Sequence, residues 1–197
     1  MNQEEINLRA KAVEEKAYTV MSASGIPQVW RDAGCRVNLI GSLRMGLIVN
    51  HLDIDLHVYS SGITEQSSFA IAAKIAALPG VTELTCINGL HTEERCIAWH
   101  IKYLADEGEL WKFDVIHIES GSKYDGYFER MADRIVEVMT AGKRDTILRL
   151  KYQTSDSEVI HGVEYYEAVI ADGVTTLEQL RLWVNEHRDK EPYYWMP

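Results

Sequence analysis

Apolar residues at Ile6, Ala10, Val13, Ala17 and Val20 recur three or four apart through residues 3–23, a stretch otherwise rich in Glu, Lys and Ala. That spacing predicts an amphipathic helix, which Gly25 and Pro27 bring to a stop. The period then shortens. Residues 35–40 (CRVNLI) read as a short buried strand ending at Gly41, and residues 53–59 (DIDLHVY) alternate along a second strand. In that alternation Ile54, Leu56 and Val58 meet the core, while Asp53, Asp55 and His57 share the other face.

Thr64 stands as N-cap before a helical run carrying Phe69, Ile71, Ala72, Ile75 and Leu78, ended by Pro79-Gly80. Three extended runs follow, at 81–87, 96–104 and 110–118; the turn-rich segment 105–109 joins the last two as a hairpin. From Tyr124 the period is helical again, over 124–140, 143–152, 161–171 and 175–187, with Thr175-Thr-Leu-Glu178 in the form of a capping box. No repeat, low-complexity tract or linker divides the chain. The predicted class is α+β: a mixed β-sheet flanked by helices over residues 1–120, and a helical C-terminal region, 121–197, packed on it.

Composition narrows what such a fold does. With 197 residues, 46% of them apolar and 25% charged, the chain has material for a real core. Thirty acidic against twenty basic residues give a formal charge of −10, which argues against a general grip on long nucleic acid but leaves room for a nucleotide or metal in one local site. The three cysteines form no CxxC pair and are odd in number, as expected in a reducing cytoplasm. No apolar run has the length of a membrane span, and the first residues lack the apolar core of a signal peptide. A soluble, cytoplasmic protein with no membrane partner is expected.

The chemistry concentrates in Gly41-Ser-Leu-Arg-Met-Gly46 followed by Asp53-Ile-Asp55. Two carboxylates on one strand face, roughly 7 Å apart at Cα, repel unless a cation or proton sits between them. Magnesium answers that need, being an oxygen-seeking ion that takes one or two carboxylates together with substrate phosphates. Gly41 permits a tight turn and close approach of phosphate oxygens. A helix beginning at Ser42 directs free N–H groups and its positive end the same way, with a hydroxyl from Ser42 and a cation from Arg44. The plainer readings are a solvated edge-strand face for the two acids and an exposed helix cation for Arg44.

Two ions need a third acid. Asp114 is the candidate, because it interrupts the strand-like run 111–118 (WKFDVIHI) and a lone buried acid is costly without a partner. Its plainer reading is a surface residue paired with Lys112 or Lys102. The scattered histidines show no metal-binding spacing. Lys143, Arg144, Arg149 and Lys151 are assigned to a solvated helix face in preference to a cleft wall. Tyr193, Tyr194 and Trp195 are assigned to packing in preference to stacking on a base.

Together, Gly41, Ser42, Gly46, Asp53, Asp55 and Asp114 resemble the signature of the polymerase-beta-like nucleotidyltransferase superfamily: an apolar strand, Gly-Ser, three residues, Gly, a spacer, Asp-x-Asp, and a later third Asp. The resemblance covers residues 35 to 120. It implies a metal-dependent enzyme in which an acceptor hydroxyl attacks the α-phosphorus of an NTP and pyrophosphate leaves. It further implies two Mg²⁺ ions, with Mn²⁺ as a substitute, held by Asp53 and Asp55. Asp114 becomes the acceptor-side ligand and general base, and Gly41, Ser42 and Arg44 the nucleotide-binding set, with Ser42 at the β,γ-phosphates. ATP is the default donor, and a small molecule or a protein the expected acceptor. Many members carry small or charged residues in the spacer, but residues 47–52 here (LIVNHL) are largely apolar. The spacer favours a rival reading, a non-catalytic nucleotide-sensing or interaction module on the same fold; retention of all three acids counts against it. A phosphohydrolase ranks last, since it has no need of the Gly-Ser turn.

Overall fold

The computed structural model describes residues 1–106, 108–187 and 195–197. Helix α1 (Gln3–Ala23) opens on a capping box between Asn2 and Glu5 and buries Ile6, Ala10, Ala17 and Val20. Pro27 does not end the helical start of the chain. It sits in the first turn of a further helix, α2 (Ile26–Asp32), after Gly25 turns the backbone at φ +69°. A first-turn proline loses nothing by lacking an N–H, so the expected stop is a stop and a restart.

Strand β1 (Arg36–Leu39) leads through the single turn α3 (Gly41–Arg44) and the spacer to β2 (Asp53–Ser60). Helix α4 (Glu65–Ala76) follows, its Thr64–Ser67 capping box confirming Thr64 as the N-cap. Then come β3 (Val81–Asn88), β4 (Cys96–Leu104) and β5 (Leu110–Glu119). The β4–β5 hairpin is closed by the Ala105 N–H donating to the Glu109 carbonyl at 2.9 Å. Helices α5 (Tyr127–Val138), α6 (Ala141–Gln153), α7 (Gly162–Ile170) and α8 (Leu177–His187) complete the described chain. The α8 capping box lies one residue later than expected: Thr176 Oγ1 accepts from the Gln179 N–H, and Gln179 Oε1 accepts from Thr176 N–H, both at 3.2 Å. Gln179, not Glu178, is the reciprocal partner, as the alternation of acceptors in such a box allows.

The five strands form one mixed sheet in the order β1-β2-β5-β4-β3. Only β2 and β5 pair in parallel, and their register sets Asp55 opposite Asp114 and Asp53 opposite Lys112. One sheet face carries Ile54, Leu56, Val58, Trp99, Ile101, Phe113 and Val115 into a core with Trp30, Ile71 and Ile75. The acids stand on the opposite face. A second core joins Ile135, Ile147, Leu150, Tyr166, Val169, Leu180 and Trp183 of the C-terminal helices, and Trp195 packs against it as expected. Tyr193 and Tyr194 lie outside the described residues. Leu47, Ile48 and Val49 are no more than 2% exposed. Leu47 enters the helical core, Ile48 the sheet core, and Val49 a cluster with Ile6, Ala10 and Leu148. The apolar spacer thus anchors three packing units at once. Among the described residues no helix is long and apolar enough to cross a membrane.

Behind the sheet, His117 is fully buried between the hydroxyls of Ser60 (2.7 Å) and Ser68 (3.1 Å). Burial pulls its pKa down to about 4, against a small opposing pull from Glu119. The unfolded chain binds this proton near the ordinary histidine value of about 6.5. Stability is therefore full above that value and is lost as pH falls from about 6.5 toward 4, by about 3 kcal/mol for this one residue. His57, likewise lowered to about 4 by burial, adds to the loss. Thermal melts of wild type and His117→Gln across this range isolate the residue: the stability of wild type relative to the variant should decline as pH falls from about 6.5 toward 4. A difference between the two that does not change with pH would refute this account.

Candidate active site

The polar face of β2 and β5 floors a cleft of about 700 Å³, walled on one side by α3 and on the other by α6 and α7. Asp53, Asp55 and Asp114 line it, with Gly41, Ser42, His100 and Lys112. The structure thus brings five of the six sequence-derived site residues to one cavity. Arg44 is the exception and needs correction. In the single turn of α3, Gly41, Ser42 and Met45 face the cleft and Leu43 enters the core. The rotation sends Arg44 outward, to Asp133 Oδ1 at 2.5 Å and the Leu39 carbonyl at 3.3 Å.

Gly41 adopts φ +68°, and a Cβ there would lie 2.0 Å from Asp55 Oδ2. The glycine is required by the carboxylate against it as well as by the turn. Burial, then the charges of Asp114 and Asp53, push the Asp55 carboxyl up to about 7. Burial also raises Asp53, with Lys112 pulling the other way. Asp114 is differently placed. Its Oδ1 meets His100 Nδ1 at 2.5 Å, and its Oδ2 accepts from Lys112 Nζ at 2.7 Å. The expected alternative, pairing with Lys112, is therefore realised inside the cleft and not on an outer surface.

The C-terminal helices contribute what the motif does not contain. Lys151 of α6 is buried, donates to the Leu47 carbonyl at 3.0 Å, and has its pKa lowered to about 8 by burial despite the attraction of Asp55 and Asp53. His161, Tyr165 and Tyr166 line the same wall. The two arginines of the basic cluster are engaged elsewhere: Arg144 donates to the Gly46 carbonyl and Arg149 to the Thr175 carbonyl, each at 3.1 Å. A signal for Lys151 exists in the sequence, since it falls four residues after Ile147 on the buried stripe of α6.

Among the described residues no three Asp, Glu, His or Cys side chains stand close enough to hold a metal ion as they are. The donor set nevertheless fits a hard divalent cation. Asp53 and Asp55 offer carboxylates whose mutual repulsion and burial favour a cation between them. Asp114 would complete such a set only on release from Lys112 and His100, which engage both of its oxygens here.

No family model and no curated protein matches the chain. Solved structures do. Cid1, described as an RNA terminal uridylyl transferase, superposes with a TM-score of 0.55 at 12% identity over 84% of this chain and 52% of its own. A further Cid1 poly(U) polymerase structure gives 0.54 at 14% identity over 86% and 54%. A cytoplasmic RNA terminal U-transferase gives 0.52 at 14% identity over 84% and 53%. The chain spans about half the length of these structures. The shared feature is the fold: this chain has the α+β nucleotidyltransferase fold expected from its motif.

Proposed function

We propose that the chain is a metal-dependent nucleotidyltransferase that moves an NMP, with ATP as donor, to the hydroxyl of a small molecule or protein and releases pyrophosphate. The carrying observation is the register of β2 and β5, which sets Asp55 beside Asp114 in the cleft where Gly41 and Ser42 also open. Residues 1–120 act as the catalytic domain, and 121–197 supply Lys151 and the aromatic wall. Asp53 and Asp55 hold the divalent ions, magnesium or manganese, and Asp114 serves on the acceptor side. Bound there, such ions offset the charge that develops on the phosphates. Gly41 and Ser42 receive the triphosphate, and Lys151 is a cation beside it. Asp114, released from its partners, accepts the proton of the attacking hydroxyl as its oxygen bonds to the α-phosphorus and the bond to pyrophosphate breaks.

The acceptor assignment is supported by the formal charge of −10 and by a cleft in which Lys112 and Lys151 are the lysines among the described lining residues. The three free cysteines agree with the cytoplasm as its compartment. A nucleotide sensor on the same fold is the second reading, favoured by the partners that occupy Asp114.

Thermal shift with each NTP plus magnesium tests both. Ligand at a hundred times its dissociation constant adds about 2.7 kcal/mol, or roughly 5–10 °C for a chain of this size. A shift together with pyrophosphate release in cell extract supports the enzyme, and treating the extract with ribonuclease tells an RNA acceptor from the proposed ones. A shift without release favours the sensor. No shift with any NTP removes the reading.

A further inference from the structure

Lys112 lies two residues before Asp114 on the same face of β5 and occupies the register position opposite Asp53. Its ammonium takes Asp114 Oδ2, while His100, the register partner of Asp114 on β4, takes Oδ1. Both oxygens of the third carboxylate are thereby engaged. Among the described residues, Asp53 and Asp55 have no side-chain hydrogen bond or ion pair of this kind. Three carboxylates on neighbouring positions of paired strands repel, and in the protein alone Lys112 is the charge that offsets this nearest Asp114. With its side chain 44% exposed, its end is free to leave.

Lys102 provides a contrast. It lies on the same face, across from Lys112, but its ammonium is held at the sheet edge by Glu83 at 2.7 Å. Position on the sheet therefore does not by itself direct a lysine to the acids; the pairing with Asp114 is particular to Lys112.

We propose that Lys112 is a built-in counter-cation that keeps Asp114 out of metal ligation until an arriving divalent ion displaces it. The inference rests on the metal assignment of the preceding section. Its consequence is an order of assembly: the acceptor-side carboxylate becomes available only as metal loads, so an unloaded site does not present a free general base.

The test is calorimetric titration of the full chain with Mn²⁺ alone, without nucleotide, for wild type, Lys112→Met, Lys112→Gln and Lys102→Met. Each variant is first checked for a cooperative melt. Both Lys112 variants should bind Mn²⁺ at least about tenfold more tightly, because a unit charge a few ångströms from the ion is gone. Lys102→Met, with the same change in net charge, should stay within about twofold of wild type. Unchanged affinity in the Lys112 variants, or equal tightening in Lys102→Met, overturns the inference and leaves the nucleotidyltransferase reading standing. Absence of Mn²⁺ binding in all four proteins overturns the inference and the metal assignment together.

Discussion

Asp55→Asn should make the metal-free protein more stable while abolishing its response to nucleotide. The carboxyl of Asp55 is raised to about 7 by burial and by its two acidic neighbours, whereas an unfolded chain holds an aspartate proton near 3.9. The folded state therefore binds the extra proton between these values, and stability falls as pH rises through that window. By pH 8 the penalty reaches about 2–4 kcal/mol, the lower figure allowing for the solvent that still reaches the cleft. Asparagine keeps the shape and carries no charge, so the stability gap between variant and wild type should widen with pH. In magnesium the order reverses: wild type is stabilised by NTP and the variant is not, and transfer falls by about 10³-fold or more. Melts at pH 5 and pH 8, with and without Mg-NTP, check both halves. A variant that is no more stable, or that still shifts with nucleotide, would falsify the assignment of Asp55.

The second large effect is expected at Gly41→Ala. The new Cβ would stand 2.0 Å from Asp55 Oδ2 and 2.7 Å from its Cγ, so the carboxylate has to swing away. A displacement of about 1 Å at a reacting centre costs on the order of 10²-fold in rate. The φ of +68° adds about 1–2 kcal/mol of strain for any residue with a side chain. Gly46→Ala separates the two contributions. Gly46 has nearly the same φ, +66°, but its nearest neighbour is Glu14 Oε1 at 3.8 Å. Gly46→Ala should lose stability through strain alone. Gly41→Ala should lose more, because its Cβ also meets Asp55 Cβ at 2.9 Å, and only Gly41→Ala should lose transfer activity. Equal activity loss in both would assign the effect to backbone strain alone.

The sheet and the Gly-Ser…Asp-x-Asp…Asp set were legible because they are local: alternation sets the faces of β2 and β5, and turn chemistry sets Gly41. Features governed by tertiary placement were not. Pro27 reads as a terminator until the position of the next turn is known. Arg44 reads as a phosphate ligand until the rotation of one helical turn fixes it toward Asp133. Lys151 was hidden among basic neighbours, and its approach to Asp55 depends on how α6 crosses a sheet formed about a hundred residues earlier. The partners of Asp114 were visible as candidates in Lys112, but His100 enters only through β4–β5 register.

The burial of Leu47, Ile48 and Val49 in three separate clusters also bears on how substrate reaches the cleft. A hinge needs residues free to change backbone angles, and it needs surfaces that slide or part at little cost. These three consecutive residues tie the sheet, the C-terminal helices and α1 to one another, so rotation about the spacer would break all three packing units together. Opening between the sheet and the C-terminal helices is thereby disfavoured. Under the proposed function, ligands would be admitted by movements of side chains at the rim, and the sheet and the helices should unfold in a single cooperative transition.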